Sequence, residues 1–541
     1  MKLKKPSMVD YFELPNPGLW AYFKHNEEGN SEDYRPPFWK GESRETVLAQ
    51  WQRKIDALGV EKQYPGLYEF EMDMKSKVGP MSIQLPLKDR VSSIEDYFTQ
   101  VTLKSEPLRH EAILQTQKFF SRAGGIRLRS KQNVVANMRL STNAGNPWFT
   151  KRRLVAQEAA ESDVYFDRAL RCWMIATPNA DYRLAAILGW RGQEGGISDQ
   201  DVKQRVVWMM SMGLNIHELQ FYQPAIAAMQ RYNLIPAYVS MDAVDDEVTA
   251  LFRTKGTDDA VICTDFTKFD QHFNLDMQNA ANVIEDYLMT QNNYDDRELR
   301  DYYFWPKFEI PIICSEDMMI EGPHGMGSGS GGTNFDECMS HKALQFEAAL
   351  DARQHLNPHS MAYGDDGILT FPGIDVEKVI RAYERHGQEM NVTKQYVSKH
   401  ECVVLRRWHS TKYVINGRMV GVYSTFRALG RLLAQERFYD PEKWSGEMVT
   451  LRALSILENC KWSPYFHEFI DFVITGDKYR LGLDLPGFFD NLQSKAQEAI
   501  ENFPDFLGYT KSLQQTSDVP ERLDTSINDW EVVKYLKTLR K

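Results

Sequence analysis

Carboxylates at the ends of short apolar runs are the first residues of this chain that could do chemistry. Asp265 closes the run Ala260-Val-Ile-Cys-Thr, and Asp270 follows five residues later. Two adjacent carboxylates, Asp365 and Asp366, stand between Gly364 and Gly367, with a short apolar run on either side. Neighbouring aspartates repel, and a turn that needed only polarity could use Asn-Gly. A bound dication would offset the repulsion and give both acids a use. The third feature is Gly327-Ser-Gly-Ser-Gly-Gly-Thr333. A glycine-rich loop that feeds a helix lets backbone and hydroxyls come close to a sugar-phosphate. It is not a Walker A loop, because no Gly-Lys-Ser/Thr follows. It is not a dinucleotide fingerprint either, because no strand precedes it at the right spacing. Taken singly, each feature has a plain alternative: a buried strand ending in Asp, an ordinary Asp-Gly turn, a surface loop.

The elements that must hold these residues can be read from periodicity. Ala260 to Cys263 reads as a buried strand, with Asp265 at its C-terminal end. The segment around Asp365 reads as a β-hairpin whose tight turn carries both carboxylates. Behind the glycine loop, Phe335, Met339, Ala343, Phe346 and Leu350 share one helical face. Asp375–Met390 reads as an amphipathic helix with Val376, Val379, Ile380, Tyr383, Gly387 and Met390 inward. From Ala428 onward the pattern is mostly helical, as in Leu429–Phe438 and Glu447–Glu458. Residues 1–95, rich in Pro, Tyr and Trp near their start, read as an extended arm that packs onto something larger.

Composition sets the outer limits. The 541 residues suffice for three or four domains or one large divided enzyme, and 43% apolar content rules against wholesale disorder. There is no uninterrupted apolar run of membrane-spanning length. No apolar stretch follows the basic start Met1-Lys-Leu-Lys-Lys-Pro6, which speaks against a secretory signal. The six cysteines are scattered without a C-x-x-C pair, so no disulfide framework or structural zinc is indicated, and a reducing compartment fits. The net charge of −11 looks wrong for a nucleic-acid binder. Its distribution matters more. Between Glu111 and Glu158 no acidic residue occurs, while Lys118, Arg122, Arg127, Arg129, Lys131, Arg139, Lys151, Arg152 and Arg153 do. Phosphate backbone is the natural partner for such a patch, with a merely solvated face as the alternative.

Order and spacing make the three features specific together. A strand ending in Asp, a glycine loop with its helix, and an Asp-Asp hairpin, in that order, resemble the palm of viral RNA-dependent RNA polymerases. Asp265-x4-Asp270 resembles motif A, Ser328-Gly329-x3-Thr333 motif B and Tyr363-Gly364-Asp365-Asp366 motif C. The wider sequence is similar to the polymerases of small double-stranded RNA viruses, the picobirnaviruses in particular. The motif resemblance covers about residues 190–410.

The resemblance implies an α+β right-hand fold of fingers, palm and thumb, with an antiparallel palm sheet and an N-terminal extension closing it. The implied division is 1–95 for the extension bridging fingers and thumb and 96–254 for the fingers. The palm takes 255–430, with a fingers insertion at about 275–325, and the thumb and C-terminal tail take 431–541. It implies two Mg²⁺ ions, replaceable by Mn²⁺, on Asp265, Asp365 and Asp366, with Phe266 in the same set. Carboxylate oxygens suit these ions rather than zinc. Lys394 stands where motif D carries its proton donor, with Lys399 as runner-up. Arg191, Lys203 and Arg205 resemble motif F, which meets the incoming triphosphate; cations two apart on a strand point to one side. Asp270, Ser328, Gly329, Thr333 and Asn334 complete the NTP set. Motif B commonly carries Asn four residues after its Thr; here that position is Glu337, which leaves the ribose-reading network open. The Cys402–Arg407 run resembles the primer-grip strand. Arg406 and Arg407 there join Arg127, Arg129, Lys131, Lys151, Arg152 and Arg153 as expected RNA contacts.

The resemblance further implies an RNA template and product, NTPs and a viral capsid protein as partners. It also implies a monomer with no membrane association, placed in the virion interior and the host cytoplasm. Two rivals remain at this stage. A reverse transcriptase shares the acidic geometry, but Asp270, the Ser-Gly-x3-Thr loop and the lack of an evident RNase H segment count against it. A non-catalytic RNA-binding or capsid-associated relic is opposed by the intact carboxylate set.

Overall fold

The computed structural model describes residues 1–502 and 526–540. Part of the expected thumb and tail, residues 503–525, lies outside the described residues. The chain forms two compact units, each assembled from separated stretches. The first comprises Met1–Gly29, Pro86–Trp190 and Val206–Val404; the second comprises Asn30–Leu85, Arg191–Arg205 and Leu405–Lys541.

At the centre of the first unit is a four-stranded sheet in the order Met361–Tyr363, Asp366–Leu369, Val261–Thr264, Tyr396–Ser398. All three of its strand pairings are antiparallel. Val261–Thr264 is buried along its whole length, as its unbroken apolar run predicts. Against the sheet packs the helix Thr333–Asp351, which also contacts the helices Leu275–Leu288, His110–Phe120 and Val376–Glu384. Phe335, Met339 and Ala343 enter the core, as expected, whereas Phe346 and Leu350 are only half-buried. The helix buries polar side chains too, among them Asp336, Glu337, His341, Lys342 and Glu347. Glu347 is held by a clamp. Arg109 Nε donates to it at 2.6 Å, Arg385 Nη2 lies 3.6 Å away and His386 Nε2 3.7 Å away.

The helix expected over Asp375–Met390 is shorter. It runs Val376–Glu384 from an Asp375 cap, and Gly387, at φ +84°, lies beyond its end. Met390 instead bridges to Phe266. A five-stranded sheet also belongs largely to this unit. Its order is Lys2–Lys4, Met319–Glu321, Ile312–Ile313, Ala186–Gln193, Lys203–Met209.

The second unit corrects the reading of residues 1–95 as an extended arm. Helices cover Pro17–Glu28, Arg44–Ala57 and Pro65–Ser76, the first belonging to the first unit and the others to the second. Pro17 and Pro65 sit at helix starts, where a missing N–H costs nothing, and the aromatic residues supply buried faces. Trp51 stacks on Phe472 with centroids 5.2 Å apart and donates to Thr425 Oγ1 at 2.9 Å. Glu71 is fully buried and caps the helix Thr425–Leu432 by accepting from the Thr425 and Phe426 amides at 2.9 and 3.2 Å. That helix replaces the one expected over Leu429–Phe438, because the Ser424 cap starts it earlier. The expected helix over Glu447–Glu458 is present as Gly446–Glu458.

Candidate functional site

The sheet delivers the carboxylates to one edge. Asp265 follows directly on the strand Val261–Thr264. In the hairpin, Tyr363 pairs with Asp366, leaving Gly364 and Asp365 as a two-residue loop. Gly364 has φ +59°, the conformation that the first loop position of a type II′ turn demands. The expected turn with two acids is thus refined: Asp365 lies in the loop and Asp366 opens the next strand. Gly367 pairs with Thr264, so the same register continued by one residue sets Asp366 opposite Asp265. Asp265 and Asp365 are exposed and Asp366 is half-buried. Phe266 turns inward, its ring parallel to Tyr383 at 5.6 Å.

Gln395, which sequence reasoning passed over, fixes the backbone at Asp265. Its Nε2 donates to the Asp265 carbonyl at 2.8 Å, and the Asp265 amide donates to its Oε1 at 2.9 Å. A glutamine carries no sequence signal for such a role beyond its place beside Lys394. Lys394 is exposed at the end of a short 3₁₀ turn, and Lys399 lies 3.4 Å from Asp258.

The glycine loop is seated by partners that periodicity did not single out. The Trp208 amide donates to Ser328 Oγ at 3.1 Å. Asn215 Nδ2 donates to the Gly329 carbonyl at 3.2 Å and to Glu218 at 3.1 Å, while Ser330 Oγ donates to the other oxygen of Glu218. Thr333 Oγ1 donates back to the Gly327 carbonyl at 3.0 Å. A side chain at Gly329 would place its first carbon 1.8 Å from the Trp208 carbonyl oxygen, so glycine is obligatory there. The hydroxyls of Ser328, Ser330 and Thr333 are therefore engaged in holding the loop's shape.

Beneath the hairpin, Asn334 Nδ2 and Glu337 Oε2 would lie 3.0 and 3.3 Å from a Cβ at Gly364. Glu337 is buried, and burial, a hydrogen bond with Asp270 and the charges of Asp270 and Asp365 push its carboxyl well above the usual range. Glu337 and Asp270 thus face each other as a hydrogen-bonded pair of acids. The structure places Asp270, Asn334, Glu337 and Asp365 together.

Known proteins align with this chain along nearly its whole length. The sequence model of the viral RNA-dependent RNA polymerase family matches residues 129–434, more than half of the chain. A potential RNA-dependent RNA polymerase of a human picobirnavirus is 50% identical over 531 residues, covering 98% of each chain. The crystal structure of the RNA-dependent RNA polymerase of a human picobirnavirus superposes with a TM-score of 0.92 at 48% identity, covering 98% of this chain and 99% of that one. An insertion-loop deletion mutant of such a polymerase gives a TM-score of 0.90 at 46% identity, over 98% and 99% of the two chains. The chain belongs to the viral RNA-dependent RNA polymerases. Its fold is the right-hand polymerase fold, and its reaction is RNA-templated RNA synthesis.

Polymerases of this family use divalent metal ions, and the residues at the acidic edge fit them. Asp265, Asp365 and Asp366 offer only hard oxygen donors. Among the described residues no three carboxylate, histidine or cysteine side chains close into a metal cage. An open set suits an ion whose remaining ligands are substrate phosphates and water.

The cations of the polymerase divide into surface and structural groups. Lys203 and Arg205 are exposed at alternate positions of their strand, in the second unit with Arg191. Arg191 Nε lies 3.0 Å from Glu436. Leu405 and Arg406 both have positive φ, which breaks the strand expected over Cys402–Arg407. Arg406 is exposed, but Arg407 is buried and donates to the Gly421 carbonyl at 3.0 Å, so it is not a surface cation. In the acid-free stretch, Arg127, Lys151 and Arg153 are exposed. Arg129 is half-buried and lies 3.4 Å from Gln223 Oε1. Lys131 donates to the Ser162 carbonyl at 2.8 Å and Arg152 to Asn215 Oδ1 at 2.6 Å. Burial lowers the pKa of both Lys131 and Arg152, as it does for cations with structural work.

Proposed function

We propose that the acidic edge is the nucleotidyl-transfer centre and that it works with two Mg²⁺ ions, with Mn²⁺ able to substitute. The observation that carries this reading is the register Gly367 to Thr264, which brings Asp265, Asp365 and Asp366 to one end of one sheet. Asp265 and Asp365 would hold the ions, with Asp366 and the Phe266 position in support. Bound there, the ions would activate the primer 3′-hydroxyl and neutralise charge on the triphosphate and leaving pyrophosphate. Asp270 accepts a hydrogen bond from the ribose 2′-hydroxyl, with Thr333 and Asn334 beside it, and the Ser328-Gly329 loop presents backbone to the nucleotide. Lys203, Arg205 and Arg191 meet the triphosphate, and Lys394 protonates the leaving group. Arg127, Lys151, Arg153 and Arg406 contact RNA.

In this reading residues 96–254 are fingers, 255–430 palm with the insertion at about 275–325, and 431–541 thumb and tail, with 1–95 as the bridging extension. The polymerase acts as a monomer in the virion interior and host cytoplasm, replicating and transcribing a double-stranded RNA genome beside capsid protein. Among the described residues no helix is long and apolar enough to cross a membrane.

The deciding experiment is incorporation of labelled rNTP on an RNA template, with and without Mg²⁺, by the parent and by Asp365→Asn. Losing one ligand charge should cost on the order of a thousandfold in rate while leaving thermal unfolding unchanged. Near-parental incorporation by folded Asp365→Asn would remove the hairpin from the mechanism. Preference for dNTPs over rNTPs by the parent would favour the reverse-transcriptase reading instead.

A further inference from the structure

The imidazole of His341 is completely buried beneath the acidic edge. Its Nδ1 lies 2.8 Å from the Gly364 carbonyl, and a carbonyl only accepts, so Nδ1 carries the hydrogen. Its Nε2 lies 3.5 Å from Thr264 Oγ1, whose hydroxyl donates onward to the Gly367 carbonyl at 3.3 Å. The ring stands edge-to-face against Phe266, with centroids 5.0 Å apart and planes at 89°. A Cβ at Gly367 would fall 2.5 Å from His341 Cε1 and 2.6 Å from Nε2, so the missing side chain leaves the space that the ring fills.

These contacts flank the acids in sequence. Thr264 and Phe266 bracket Asp265, while Gly364 and Gly367 bracket Asp365 and Asp366. A hydrogen-bonded wedge touching both strands fixes how far apart their carboxylates stand. A structural histidine packed only for bulk would need neither the bond to Gly364 nor the gap at Gly367.

We propose that His341 is a positioning residue for the divalent-cation site, setting the spacing of Asp265 from the Asp365–Asp366 pair through the Gly364 carbonyl and the gap at Gly367. The inference rests on the reading of those acids as cation ligands. Outer residues that orient metal ligands typically influence affinity about 10- to 100-fold.

The test uses the full chain. Mn²⁺ affinity is measured by electron paramagnetic resonance titration without RNA or NTP, alongside the Mg²⁺ concentration for half-maximal incorporation. His341→Ala should weaken both about tenfold, with the KM for NTP at saturating metal within about twofold of the parent. His341→Asn, which can present an N–H where Nδ1 stands, should recover most of the loss, whereas His341→Gln should not. Gly367→Ala should match His341→Ala, and the double variant should be no worse than either, because both break one wedge. Parental Mn²⁺ affinity in His341→Ala, equal affinities in the Asn and Gln variants, or additive losses in the double variant would each overturn the proposal. If His341→Ala does not fold, the Asn and Gln pair decides alone. Asp365→Asn separates the two levels. Parental Mn²⁺ binding and activity in that variant would overturn the cation-site reading itself. Loss of both there, with parental affinity across the His341 variants, would overturn only the role of His341.

Discussion

In the proposed reading, sugar selection falls to two carboxyl groups that share a hydrogen bond. Burial and the facing Asp270 favour a protonated Glu337, and a proton shared by the pair leaves Asp270 a lone pair for the ribose 2′-hydroxyl that the proposed reading assigns to it. A deoxyribose offers nothing in return, which leaves a charged acceptor poorly satisfied. Losing such a bond costs roughly 1.5–3 kcal/mol, or about 10- to 150-fold in discrimination. Asp270→Ala should therefore narrow the preference for rNTP over dNTP mainly by slowing rNTP use. Glu337→Gln keeps a donor facing Asp270 and should change discrimination less. Measured kcat/KM values for one matched rNTP and dNTP pair settle it, and the reverse ranking would make Glu337 the sugar reader. At this scale the sequence was most informative where charge is concentrated. Asp265, Asp270, Asp365 and Asp366 stand out by type and spacing. Gln395, Glu218 and Asn215 do not, because the bonds that give them their roles reach residues 112 to 130 positions away.

Elements hold those residues at fixed height, and the Thr333–Asp351 helix is the principal support. Its lower end is tied by the clamp on Glu347. Burial raises the pKa of this carboxyl, but the nearby His386 imidazole and hydrogen bonds from the Arg109 amide and side chain outweigh burial and hold it at about 2. An acid whose folded pKa is depressed contributes stability above its unfolded value of about 4.3 and loses it as pH falls towards the folded one. Urea unfolding between pH 3 and pH 6 should thus show an acid limb, to which Glu347 contributes roughly 1–2 kcal/mol. Glu347→Gln should flatten that limb and lower stability at pH 7. An unaltered limb would mean that the clamp is already lost in the acid range. The buried strand at Val261 and the hairpin around Asp365 were legible because their periods are short and local. The helices of residues 1–95 were misread, since Pro-rich starts resemble extended chain until their aromatic faces find a core. The shortened Val376–Glu384 helix depended on Gly387 adopting a left-handed conformation, which composition alone did not reveal.

Across the whole molecule, the proposed reading places exposed cations of this acidic protein along the RNA path. Neutralising Lys151 and Arg153 together should weaken binding to all RNA sequences alike and reduce the salt slope by about one for each cation lost. Arg152→Ala should act differently, lowering thermal stability through its bond to Asn215 rather than the salt slope. Fluorescence anisotropy across a salt series, paired with thermal unfolding, separates the two; an unchanged slope in the double variant would place this face outside the RNA path. A last consequence follows from the 1.8 Å that separates a would-be Gly329 side chain from the Trp208 carbonyl oxygen. For a replicating population, such a position is closed to drift. Saturation mutagenesis at codon 329 should return glycine alone among active clones. An inhibitor that rests on this stretch of bare backbone would meet no single-residue escape there, and resistance would have to arise from changes elsewhere in the polymerase.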